Sequence, residues 1–227
     1  MRIRARLILS IVALLAHFPM PISSAAAGTT QAERLPVAEP AAFARIGGPA
    51  KAMIGWTMFC QAQPLECSET RLDPVAVVLT PDSWAELNAI NALANKQVKP
   101  VGDNDHYGIY KIGIPNWWTY PDDGSGNCND YVLLKRRLLI EAGWPKSALL
   151  MTVVVTPEGE GHLVLTVRTD RGDLILDNVR EKILVWNKVG YRFVKRQSAA
   201  NHNVWLSIEA DELAPATSAA SSRVSSR

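Results

Sequence analysis

Apolar residues recur at helical spacing in two stretches of the chain. Trp84, Leu87, Ile90 and Ala94 fall on one face of a helix that Thr80-Pro81-Asp82-Ser83 opens and that closes by about Val98, ahead of Pro100. The clearer helix covers 127–142: Asn127 stands as N-cap, Tyr131, Leu134 and Leu138 mark an apolar face, and Gly143 with Pro145 supplies the stop. Beyond it the period shortens to that of strands, over 149–156, 162–168, 173–176, 191–196 and 204–208. Residues 157–161 and 169–172 have the composition of tight connectors, so consecutive strands are expected to pair as antiparallel hairpins. Helices followed by an antiparallel sheet make an α+β fold.

The flanks carry a different pattern. Arg2, Arg4 and Arg6, an apolar run over 7–18 and the small residues Ser23, Ser24, Ala25, Ala26 and Ala27 read as a secretory signal peptide over 1–27. That run is shorter than the roughly 20 residues a membrane-crossing helix needs, and no later stretch is longer. The expected product is periplasmic or secreted, with no stable membrane span after cleavage. Residues 28–50 read as a linker, 51–210 as one folded domain, and 211–227, rich in Ala and Ser, as a disordered tail. Between the helices, 102–126 is dense in Gly, Pro, Asp, Tyr and Trp without a period, and such a long irregular stretch points to a functional surface.

Charge narrows the partners. The 24 Lys and Arg against 22 Asp and Glu give +2, but three of the arginines lie in the leader, leaving 21 basic against 22 acidic residues. A chain without a basic field is not built for nucleic acid or an anionic membrane. Its three cysteines are an odd number in an oxidising compartment, which predicts one bridge and one free thiol. Cys60 and Cys67 are near enough in sequence to form the bridge; two reduced core cysteines or a metal pair are the rival readings.

That leaves Cys128, which follows the turn Gly124-Ser125-Gly126-Asn127 and opens the second helix. Unsatisfied amides and the positive end of a helix dipole favour thiolate over thiol at such a position, and the same amides can receive a developing oxyanion. A nucleophilic cysteine needs a base. His162 begins a predicted strand, and Asp177 ends the next. If the turn centres between Asp170 and Arg171, His162 lies opposite Val179 with Asp177 as its diagonal neighbour on the same face, within reach of a His to Asp hydrogen bond. Cys128, His162 and Asp177 then satisfy the nucleophile, base and orienter logic, and a register slip of one residue would undo it. His106 is assigned to the turn around Asp105, and Lys135, Arg136 and Arg137 to the solvated face of the helix.

The segment Gly126-Asn127-Cys128-Asn129-Asp130-Tyr131-Val132-Leu133-Leu134-Lys135, with Gly161-His162-Leu163 and Leu176-Asp177-Asn178, resembles the bacterial transglutaminase-like cysteine peptidases. So do Phe59-Cys60, Pro64-Leu65-Glu66-Cys67 and Asp105-His106-Tyr107-Gly108. The resemblance covers about 56–208 and implies a papain-like fold, a Cys128-His162-Asp177 triad and a protein or peptide substrate in the cell envelope. In the branch similar to the periplasmic adhesin-releasing proteases, acids flanking the cysteine help hold calcium. Here Asn127 and Asn129 replace two of them and only Asp130 stays acidic, so a calcium site is expected to be weak. The chemistry itself calls for no cofactor. Trp117, Trp118 and Tyr120 precede the nucleophile as candidates for the acyl pocket or the oxyanion site, with a place in the core as the competing assignment. Thiol hydrolysis leads these readings; acyl transfer to an amine and a catalytically silent peptide-binding module are the alternatives.

Overall fold

In the computed structural model, which describes residues 41–108 and 116–209, the chain runs through β1 (Ile46–Ala50), α1 (Ile54–Ala62), α2 (Pro81–Gln97), β2 (Lys99–Pro100), α3 (Asp103–Tyr107), β3 (Ser125–Gly126) and α4 (Cys128–Glu141). It continues as β4 (Leu149–Val155), β5 (Gly161–Thr169), β6 (Gly172–Leu176), β7 (Leu184–Val185), β8 (Arg192–Ser198) and β9 (Asn201–Ile208). Seven strands form one sheet in the order β1-β9-β8-β4-β5-β6-β7, every neighbouring pair antiparallel. The short β2 and β3 pair in parallel beside α4.

The expected hairpins form for β4-β5, β5-β6 and β8-β9. Consecutive pairing fails after β7: β8 returns to the far side of β4, whose outer edge would otherwise present unpaired N–H and C=O groups. The register between β5 and β6 pairs Leu165 with Leu176 and Thr169 with Gly172, which centres the turn between Asp170 and Arg171. His162 is thereby aligned with the Asp177 side of the following loop.

Helix α4 lies on the sheet with Val132, Leu133 and Leu139 buried beneath it, and α2 packs on α4. Trp56, Phe59, Trp84, Leu87, Leu165 and Trp205 complete this core. Burying side chains of this size contributes about 1.5–3 kcal/mol each. Thr80 caps α2 through a reciprocal bond with Ser83, and Pro81 sits in the first turn. The face of α2 turned inward carries Trp84, Leu87, Asn91 and Ala94, while Ile90 is half-buried.

Two sequence readings need correction. The linker 28–50 gives way at its end, because Ile46–Ala50 form the strand that pairs with β9. The three basic residues of α4 are not one solvated face: successive helical residues point about 100° apart, and α4 is covered by the sheet, by α2 and by the loop after α1. Lys135 and Arg136 are 0% and 1% exposed; only Arg137 reaches the surface, bonding Asp122 at 3.1 Å and covering the Tyr120 ring. The signal-peptide segment 1–27 and the tail 211–227 lie outside the described residues. Among the described residues, no helix is long and apolar enough to cross a membrane.

Candidate active site

Cys128 is the first residue of α4 and half-buried. Asn127 caps the helix as its position suggests, its side-chain oxygen accepting from the Asn129 amide at 3.0 Å. Asp130 reaches back to the Asn127 amide at 2.9 Å, closing a capping box. Gly126 permits this closeness, since a Cβ there would stand 2.6 Å from the Asp130 carboxylate. The amides of Asp130 and Tyr131 bond the Asn127 carbonyl. In the first turn, the Cys128 amide is left without an acceptor among the described residues.

His162 opens the inner part of β5 and donates from Nε2 to Oδ1 of Asp177 at 2.8 Å. With Nε2 committed to the carboxylate, Nδ1 is the ring nitrogen left for Cys128, which lines the same cavity and whose thiol bonds Asn129 Oδ1 at 3.7 Å. Burial alone would lower the imidazole pKa; the bond to Asp177 and the nearness of the Cys128 thiol and the Asp177 charge outweigh it and push it up to about 9. Asp177, 3% exposed, is held by more than the histidine. Its Oδ1 accepts also from the Val179 amide, its Oδ2 from the Tyr191 hydroxyl at 2.6 Å, and Asn95 of α2 donates to its backbone carbonyl. Burial favours the neutral acid, but these donors keep the carboxylate below its ordinary range.

Cys128 and His162 open on one cavity of about 140 Å³, lined also by Met53, Asn116, Asn129, Val153, Gly161 and Leu163. None of the three aromatic candidates lines it. Trp118 is a core residue, set edge-on to Trp56 and pressed against Gly55, where a Cβ would fall 2.3 Å from the indole. Tyr120 packs on Phe59 beneath Arg137. Trp117 is anchored by its amide to Asp103 at 2.7 Å. The residue this stretch delivers to the cavity is Asn116. Sequence reasoning passed over it, and over Tyr191 and Asn95 behind the aspartate; a polar residue beside an aromatic run, and a tyrosine at a strand start, carry no spacing signal. His106 bonds Asp123 at 2.7 Å and stacks on Tyr107, outside this cavity. His202 is buried against Arg136. Cys60 and Cys67 are joined in a disulfide, Cα atoms 5.5 Å apart.

Among the described residues, the oxygens around the start of α4 are turned to neighbouring donors, whereas a calcium cradle requires six to eight oxygens turned to one point. Asp103 accepts from the Asn127 amide nitrogen at 2.7 Å and from Trp117; Asn127 accepts from Asn129; Asp130 accepts from Thr119 and Asn127. The Asn129 amide nitrogen donates to Asn116. Where flanking acids would have offered charge, the two asparagines spend donors on their neighbours. No three His, Cys, Asp or Glu side chains converge for a metal among the described residues. Burial pushes the Asp130 carboxyl up to about 7 despite the two amides it accepts from.

The sequence profile of the bacterial transglutaminase-like cysteine proteinases (BTLCP) matches residues 46–213. The chain belongs to this family. It is therefore a transglutaminase-like cysteine peptidase, and the α+β arrangement of helix on antiparallel sheet is the fold of that family. No curated protein matches it. Among solved structures it is similar to Legionella pneumophila LapG in its calcium-bound form, at 24% identity over 58% of this chain and 74% of that one, TM-score 0.46. A second LapG structure matches at 26% identity over 54% and 68%, and an EGTA-treated one at 26% over 54% and 66%, each with TM-score 0.44.

Proposed function

We propose that this BTLCP member is an exported thiol hydrolase that cleaves a peptide or amide bond of an envelope protein, with Cys128 as nucleophile, His162 as acid and base, and Asp177 as orienter. The observation that carries this reading is an imidazole bonded through Nε2 to Asp177 that lines one cavity together with Cys128. The sulfur attacks the carbonyl carbon, and the carbonyl π pair moves to oxygen. As the tetrahedral species collapses, the C–N bond breaks and the leaving amine takes the proton that His162 holds. Water then adds to the thioester, giving its proton to His162, and the acid product leaves as the C–S bond breaks. Asp177 keeps the ring in the tautomer and orientation that both proton transfers require. An amine in place of that water would make the same acyl-enzyme an acyl transferase.

Export to the periplasm rests on the leader pattern over 1–27, and an envelope substrate, a surface adhesin among them, on the resemblance to the adhesin-releasing proteases. No step is assigned to calcium. Iodoacetamide labelling across pH tests the chemistry. Cys128 is expected to react faster than a free thiol below neutral pH and to hold that rate until His162 deprotonates near pH 9. A Cys128 that alkylates no faster than free cysteine at pH 7 would overturn the triad. Comparing envelope proteomes of wild type and Cys128→Ala then identifies the substrate, as the protein whose shortened form vanishes in the variant.

A further inference from the structure

A tetrahedral intermediate at Cys128 needs two donors for its oxyanion, and α4 supplies one, the Cys128 amide, which has no acceptor among the described residues. We infer that the second is the side-chain amide of Asn116, which makes it a catalytic residue. This assignment rests on the proposed thiol chemistry and extends it. Asn116 lines the same small cavity as Cys128 and His162. Its Oδ1 is taken by the Asn129 side chain, which is itself 2% exposed and belongs to the nucleophile helix. That bond fixes the amide plane and leaves Nδ2 as the donor end, with no acceptor among the described residues. Asn116 is half-buried, and its Nδ2 is not among the buried unpaired side-chain atoms of the described residues.

The backbone after it is tied to the same helix start twice, once through Asp103 and once directly. Trp117 donates to Asp103, Asp103 accepts from the Asn127 cap, and Thr119 donates to Asp130. Asn116 is thus held relative to Cys128 by bonds to residues on both sides of the nucleophile, which is the rigidity that a preorganised donor requires. The neutral Asn129 has a role here that an acid in its place would change: its amide nitrogen donates to Asn116 Oδ1, whereas a carboxylate would draw the Asn116 Nδ2 onto itself and away from the cavity.

Two reagents separate the donor from a mere support for the cysteine. With p-nitrophenyl acetate the S–C bond forms at a carbonyl whose π pair becomes an oxyanion before p-nitrophenolate leaves. With iodoacetamide the sulfur displaces iodide at a saturated carbon, and no oxyanion develops. The readout is the ratio of the two second-order rate constants at Cys128, which cancels any change in thiolate population. Asn116→Ala is expected to lower that ratio by about a hundredfold, the loss typical of one oxyanion donor. Asn116→Asp, which retains the oxygen facing Asn129 and loses the donor, is expected to do the same, and it answers the question should the alanine variant not fold. A ratio within about threefold of wild type in a folded variant overturns the assignment, since a true donor is worth far more. A wild type showing neither a p-nitrophenolate burst nor accelerated alkylation sinks the triad and this inference together, and so distinguishes the two failures.

Discussion

Lys135 is the residue whose burial is hardest to reconcile with stability alone. It is 0% exposed, and its ammonium nitrogen has no hydrogen-bond partner among the described residues. Burial brings its pKa from 10.5 down to about 7, against the pull of the Asp177 carboxylate. Between those values the folded chain binds fewer protons than the unfolded one, so wild-type stability rises with pH across the window and the penalty is complete below it. Lys135→Met, apolar and of similar length, is expected to be more stable than wild type at pH 7 by on the order of a few kcal/mol, and so to unfold at a higher temperature. Calorimetry at pH 7 and pH 10 checks this, because the advantage must shrink at the higher pH. The contrast with the triad shows what a sequence makes legible. The His162 to Asp177 relation could be read because a two-residue turn fixes the register of a hairpin and hence which side chains share a face. The burial of Lys135 could not, because nothing in the residue's own chemistry tells that α4 is covered on so many sides.

Among the elements, the start of α4 and the 116–119 stretch act as one unit. Asn127 to Asp103, Asn129 to Asn116 and Asp130 to Thr119 join them by hydrogen bonds alone. A ligand that binds the folded state stabilises it in proportion to the logarithm of its concentration over Kd, so a site with asparagines in place of acids, and oxygens already engaged by neighbouring donors, gains little from calcium. Millimolar calcium and excess EGTA are therefore expected to leave the melting temperature within about 1 °C of each other, with equal Cys128 alkylation rates. A calcium-dependent rise of several degrees would show that these bonds give way to an ion. The helices themselves were readable from their caps: Thr80 and Asn127 each place a side-chain acceptor where orphan amides await one. The irregular 102–126 stretch was recognisable only as a functional surface. Its contribution is delivered through long-range bonds of Asp103 and Asp130, and no local periodicity encodes those.

Taken whole, the molecule is bound across its layers by a loop that the disulfide closes. The Cys60–Cys67 bridge shapes the turn carrying Glu66, which pairs with the buried Arg136 of α4 at 3.4 Å, and Arg136 in turn bonds His202 of β9 at 3.2 Å. Replacing both cysteines by serine is expected to cost about 2.5 kcal/mol from loop closure, read as a lower melting temperature than that of the oxidised wild type. Equal melting of the two would show that the bridge constrains nothing. The sheet order was the least legible feature at this scale, since the move of β8 to the far side of β4 depends on which edge is open, a property of the assembled sheet rather than of any segment. The same order sets Ile46 of β1 against Ile208 of β9. With the first and last of the described strands zipped together, the stretch between them behaves mechanically as a ring with its clasp at one rim. Among the described strands, an exopeptidase arriving from the N-terminal side meets β1, fastened on one side by β9, whereas one arriving from the C-terminal side meets β9, fastened on both sides by β1 and β8.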